Sequence, residues 1–92
     1  MTSRRPKLRA ELLTREVADE FLVYEPESGE VYLMNPTAAS IIELCDGSRD
    51  AEAIAAVILE AVAADPDTVK ADVERTLADL DEKKLLQWSE GE

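Results

Sequence analysis

The chain has no histidine, a single cysteine, three glycines, and only one Trp, one Phe and two Tyr among its 92 residues. Without histidine, and with Cys45 as the only thiol, it cannot assemble a nucleophile and base of the acyl-transfer kind, or a Cys/His zinc set. One cysteine forms no internal disulfide, which suits a reducing compartment, so a cytoplasmic protein is expected. Gly29, Gly47 and Gly91 are too scattered to cradle a phosphate. No apolar run approaches the roughly 20 residues of a membrane-spanning helix, and no charged-then-apolar start reads as a signal peptide. With so few rings, aliphatic side chains must build the core.

Positive charge is also scarce. Ten Lys and Arg against 21 Asp and Glu leave a formal charge of −11. Such a surface repels phosphate backbones, which argues against nucleic acid as a partner. The carboxylates of Asp65-Pro66-Asp67 and of Asp79, Asp81 and Glu82 lack the spacing of a calcium loop and read as helix caps and surface charge. The inventory therefore predicts no enzyme, no cofactor and no metal. Length bounds the chain to one domain with one modest core.

Residues 1–7 (MTSRRPK) are polar, and the cluster Arg4, Arg5, Lys7 and Arg9 reads as a solvated arm. The expected layout is a disordered arm over 1–7, a folded domain over 8–88 and a disordered tail over 89–92. Residues 8–15 fit a strand or a short helix equally. FLVYE (21–25) and EVYLM (30–34) are rich in β-formers and flank Pro26-Glu27-Ser28-Gly29, which predicts a hairpin. Pairing Glu25 with Glu30 sets Tyr24 opposite Val31, Leu22 opposite Leu33, Val23 opposite Tyr32 and Phe21 opposite Met34. Both hairpin faces are then apolar.

Asn35-Pro36 has the form of an N-cap followed by proline at the first helical position. Ala38, Ile41, Ile42 and Cys45 recur at helical spacing, and Gly47 offers a stop, so a first helix is expected over 36–46. Asp50 caps a second, with Ile54, Ala55, Ile58 and Val62 on one face. Asp65-Pro66 caps a third, with the stripe Val69, Val73, Leu77 and Leu80 and with Lys83 and Lys84 in its last turn. Three short helices cannot cover a sheet that is apolar on both sides. One face or edge should stay open, where an extended peptide can add as a strand, unless a second copy or the N-terminal segment covers it.

The run LMNPTAASIIELCDG (33–47), followed by ADVERTLADLDEKKLL (71–86), resembles the PqqD family and the wider class of precursor-peptide recognition domains, over about Leu8 to Gln87. The resemblance implies an α+β, winged-helix-like fold: a three-stranded antiparallel β-sheet followed by three α-helices. It implies a non-catalytic chaperone for the leader of a ribosomally made precursor peptide. The leader adds as a strand beside the third strand, lies against the third helix, and is presented to a modifying enzyme. That enzyme is of the radical SAM type, in pyrroloquinoline quinone biosynthesis or a related natural-product pathway.

Carried onto this chain, the binding strand is Glu30, Val31, Tyr32, Leu33 and Met34, and the facing helix runs from Asp67 to Lys84. On that helix Asp72, Thr76, Asp79 and Lys83 make a row beside the core stripe, with Arg75 nearby, and these are the candidate peptide contacts. Two other readings stand beside this one. A winged-helix transcription regulator is opposed by a third helix carrying Asp67, Asp72, Glu74, Asp79, Asp81 and Glu82 against Lys70, Arg75, Lys83 and Lys84. An adaptor for a folded partner, or a homodimer, would use the same open apolar face.

Overall fold

The computed structural model describes residues 4–90. Its elements run β1 (Arg4–Leu8), β2 (Leu13–Val17), β3 (Glu20–Glu25), β4 (Glu30–Met34), α1 (Pro36–Glu43), α2 (Ala51–Ala61), α3 (Pro66–Glu82) and β5 (Leu86–Glu90). Strands β2, β3 and β4 form the expected three-stranded antiparallel sheet ahead of the three helices, with β3 in the middle. The β3–β4 register is the one that alternation dictates: Glu25 faces Glu30, Tyr24 faces Val31 and Phe21 faces Met34. Gly29 closes that loop at φ +78, its N–H donating to the Glu25 carbonyl at 2.8 Å. This is a conformation that glycine adopts without steric cost.

Each helix begins at the cap the sequence offers. The side chains of Asn35, Asp50 and Asp65 accept from the N–H groups of Ala38, Ala53 and Thr68 at 2.8, 2.9 and 3.1 Å. These bonds satisfy donors that the first turn leaves free. Helix α1 is shorter than expected and ends at Glu43; Gly47, at φ +87, serves the following turn and not the helix stop. Helix α3 ends in a Schellman motif. The Lys84 N–H donates to the Asp81 carbonyl at 2.9 Å and the Leu85 N–H to the Leu80 carbonyl at 3.0 Å. Leu80 and Leu85, both buried, make the apolar contact that accompanies this motif.

The expected disordered arm and tail need correction. Arg4–Leu8 is a strand that pairs antiparallel with Leu86–Glu90, so residues 4–7 and 89–90 are ordered; residues 1–3 and 91–92 lie outside the described ones. The reason is long-range pairing. Pro6 is fully buried, its carbonyl accepts from the Gly47 N–H at 3.0 Å, and the Leu8 N–H donates to the Cys45 carbonyl at 3.0 Å. The basic cluster is likewise engaged in part. The Arg4 guanidinium lies 4.4 Å from the centre of the Trp88 ring, whose Nε1 donates to Asp81 at 2.7 Å. Arg9 donates to the Lys84 carbonyl at 2.7 Å and pairs with Glu11 at 2.7 Å. Residues 8–15 form no helix: β1 ends, the chain turns, and β2 begins.

The core is aliphatic, as the shortage of rings requires. Val23, Ile41, Ile54, Val73, Leu77, Leu80 and Leu85 are buried within it, and no aromatic side chain is. It lies between the helices and the inward side chains Val23 of β3 and Met34 of β4, with Leu12 and Leu86 beside them, while every residue of β2 is exposed.

Candidate functional site

Alternation gives β4 two kinds of side chain. Tyr32 and Met34 point inward, half-buried and buried, while Val31 and Leu33 point outward and are 58% and 62% exposed. The backbone of β4 has a strand partner on one side only, β3, so its other edge carries unpaired N–H and C=O groups.

Beyond the C-terminal end of β4, the first turn of α1 faces α3. Asn35, Thr37 and Ala38 form one wall of a depression, and Asp72, Arg75, Thr76 and Asp79 form the other. Four of the five helical residues singled out from sequence thus share one groove. The fifth, Lys83, donates to Asp79 at 2.8 Å, and its charge acts on Tyr32. It does not itself line the groove. Asp72 and Thr76 are half-buried at the seam; Asp79, Arg75 and Lys83 are exposed. Arg75 pairs with Asp72 one turn away. The charges of this wall are thus paired along the helix and exposed to solvent, where such pairs are weak and easily exchanged.

The strand residues divide differently. Met34 is only 8% exposed and its side chain belongs to the core. The Tyr32 hydroxyl donates to Glu30 at 3.1 Å, and its pKa is pushed up, first by desolvation and then by that carboxylate. What β4 offers at its edge is backbone. The opposite groove wall, Asn35 and Thr37, went unread in the sequence. The only available signal was the cap at Asn35, which places the first turn of α1 immediately beyond β4.

The open sheet face is also resolved. Leu13, Val17, Tyr24, Val31 and Leu33 are exposed together on the outer side of β2–β3–β4, with Leu22 among them, and the N-terminal segment lies elsewhere, against β5. Cys45 is buried, and its thiol is pushed up to about 12 by burial, with Asp46 adding to the shift. Among the described residues no group of His, Cys, Asp and Glu is arranged to hold a metal ion. No helix among them is long and apolar enough to cross a membrane.

The sequence profile of coenzyme PQQ synthesis protein D (PqqD) matches residues 20–86. The chain belongs to the PqqD family. The matched span runs from the first residue of β3 to the first of β5, so the groove and all three helices fall inside the PqqD region. Strands β1 and β2 precede it.

Three solved structures share the fold. The PqqD truncation of Methylobacterium extorquens PqqCD is described as a functional, stand-alone recognition element for ribosomally synthesised and post-translationally modified peptides. It is 25% identical, with a TM-score of 0.75, over 89% of this chain and 87% of that one. Lasso peptide synthetase B1, solved with its leader peptide, is 18% identical, with a TM-score of 0.78, over 90% of this chain and 98% of that one. TbiB1, solved in complex with the TbiA(beta) leader peptide, is 22% identical, with a TM-score of 0.76, over 88% and 94%. No curated protein matches the sequence.

Proposed function

We propose that this chain is a non-catalytic recognition domain that captures the leader of a ribosomally made precursor peptide and presents it to a modifying enzyme. The observation that carries this reading is the free edge of β4, which runs up to an open groove between the first turn of α1 and α3, in a PqqD-family fold shared with proteins solved with leader peptides. An extended peptide there would satisfy the unpaired backbone groups of Glu30–Met34, and the wall of Asp72, Arg75, Thr76, Asp79 and Lys83 would supply selectivity. The modifying enzyme is of the radical SAM type, and the reducing cytoplasm is where a lone buried thiol and such an enzyme would coexist.

The outer sheet face supports the adaptor reading as a complement. Its exposed aliphatic side chains give the enzyme a surface on which to dock. A homodimer across the same face would bring two charges of −11 together, which opposes it. A DNA-binding role meets the same electrostatic objection.

The test is amide hydrogen exchange with and without leader segments of precursor peptides, including any whose reading frame is found next to that of this chain. New protection in residues 30–34 and 67–84 is expected. Protection confined to α1 and α2 would place the groove on the wrong side of the molecule.

A further inference from the structure

The basic residues of β1 have no part in the groove. Six of the ten Lys and Arg make no ion pair with a carboxylate among the described residues, and three of the six, Arg4, Arg5 and Lys7, lie on this one strand. Alternation divides them. Arg4 shares a face with the buried Pro6 and is taken up by the Trp88 ring, whereas Arg5 and Lys7 point the other way, beside Ser89 and Gln87 of β5. Lys7, Gln87 and Ser89 are exposed and Arg5 is half-buried, so this outer face of the β1–β5 ribbon presents two cations, an amide and a hydroxyl with no carboxylate between them. Asp46, whose backbone bridges to Lys7, is already held by the Ser48 N–H and hydroxyl at 2.9 and 2.5 Å and by Arg49 at 3.3 Å. The Lys7 stem lies over Gly47, its Cδ 3.6 Å from where a Cβ there would stand, and Lys7, Gln87, Trp88 and Ser89 line a depression of about 470 Å³.

We propose that this face docks an extended acidic segment of a protein partner, with carboxylates on alternate residues. Strand geometry sets the spacing. Arg5 and Lys7 stand two residues apart on one face, about 7 Å, which is also the repeat of same-side side chains in any extended chain. A segment lying along the ribbon with an acidic-x-acidic pattern therefore brings one carboxylate to each cation, while the Gln87 amide and the Ser89 hydroxyl offer donors beside them. The net charge of the chain does not forbid this. At about 0.15 M salt screening acts within about 8 Å, so the acidic remainder is muted at a distance while contact pairs persist. A nucleic-acid backbone fits less well, since its charges continue past the two cations onto that acidic remainder. None of these residues lines the leader groove, so docking here does not depend on strand addition at β4.

The experiment titrates the full chain with a synthetic Glu-Thr repeat of about six residues, long enough at about 3.3 Å each to cover the ribbon. Trp88, the one tryptophan of the chain, lines the depression and reports binding through its fluorescence. A Gln-Thr repeat of the same length should bind about 10-fold more weakly, near the upper worth of two exposed ion pairs. The double variant Arg5→Gln, Lys7→Gln should lose affinity for the Glu-Thr repeat by the same factor. Arg15→Gln, Lys70→Gln changes the net charge equally at exposed cations elsewhere and should leave that affinity within about 2-fold. Thermal melts establish that both variants are folded, and the comparison of the two repeats reads wild type alone. Absence of saturable binding, equal binding of the two repeats, or equal losses in the two double variants overturns the proposal. So does a short oligothymidylate that outcompetes the Glu-Thr repeat, which would make the face a nucleic-acid site. A dimer in sedimentation that dissolves only in Arg5→Gln, Lys7→Gln would overturn it too, by making the occupant a second copy.

Discussion

At the residue scale, Lys84 occupies a position that favours glycine. It takes φ +62 at the residue after the α3 C-cap, where a side chain costs roughly 1–2 kcal/mol. Its N–H and carbonyl bonds are backbone bonds and survive loss of the side chain. Lys84→Gly should therefore stabilise the domain by up to about 1 kcal/mol once glycine's greater freedom in the unfolded chain is set against it, read as a higher urea midpoint. Cys45 gives a pH prediction. The folded state holds the thiol protonated to about pH 12, against 9.0 ordinarily, so the fold binds the extra proton once the unfolded thiol begins to ionise. Stability from this group is complete below about pH 9 and is lost as pH rises from 9 toward 12. Wild type should lose stability relative to Cys45→Ala as pH rises from about 9 toward 12, and native Cys45 should react with thiol reagents only at the rate of unfolding.

At the scale of elements, α3 has two jobs on adjoining faces, and substitutions should separate them. Leu77 is 3% exposed in the core, so Leu77→Ala should cost about 2–5 kcal/mol and leave little folded protein. Asp79→Arg removes an exposed partner of Lys83, should change stability by less than about 0.5 kcal/mol, and should weaken leader binding, as calorimetry would read. The helices and the β3–β4 hairpin were legible because their signals are local: Asn35, Asp50 and Asp65 are caps beside their own helices, and alternation alone fixes Glu25 against Glu30. Strand β1 was not legible. RRPKL has poor strand propensity, and its partners at 45–47 and 86–90 are remote in sequence, so nothing near Pro6 announces its burial. The site divides in the same way. Spacing along one helix brought out Asp72, Thr76, Asp79 and Lys83, whereas Asn35 and Thr37 join them only through the packing of α1 against α3.

For the molecule as a whole, the excess of 11 negative charges sets how a partner arrives. A leader with basic residues should associate more slowly as ionic strength rises above about 0.15 M, where screening acts within about 8 Å, with little change in dissociation rate. Stopped-flow titrations across salt would show it, and a flat on-rate would assign the charge to solubility alone. The β1–β5 pair has a mechanical consequence of its own. Because Arg4 faces Glu90 and Leu8 faces Leu86, the two ends of the described chain emerge side by side. A load pulling them apart meets the pairs in succession and not all at once, opening the ladder from its mouth like a zipper. A translocating unfoldase gripping one end while the other is held would thus face low resistance, whatever the stability of the core, since forced opening is governed by a rate and not by the equilibrium. The hairpin and groove, attached beyond the zipper, would yield only after Leu8 had parted from Leu86.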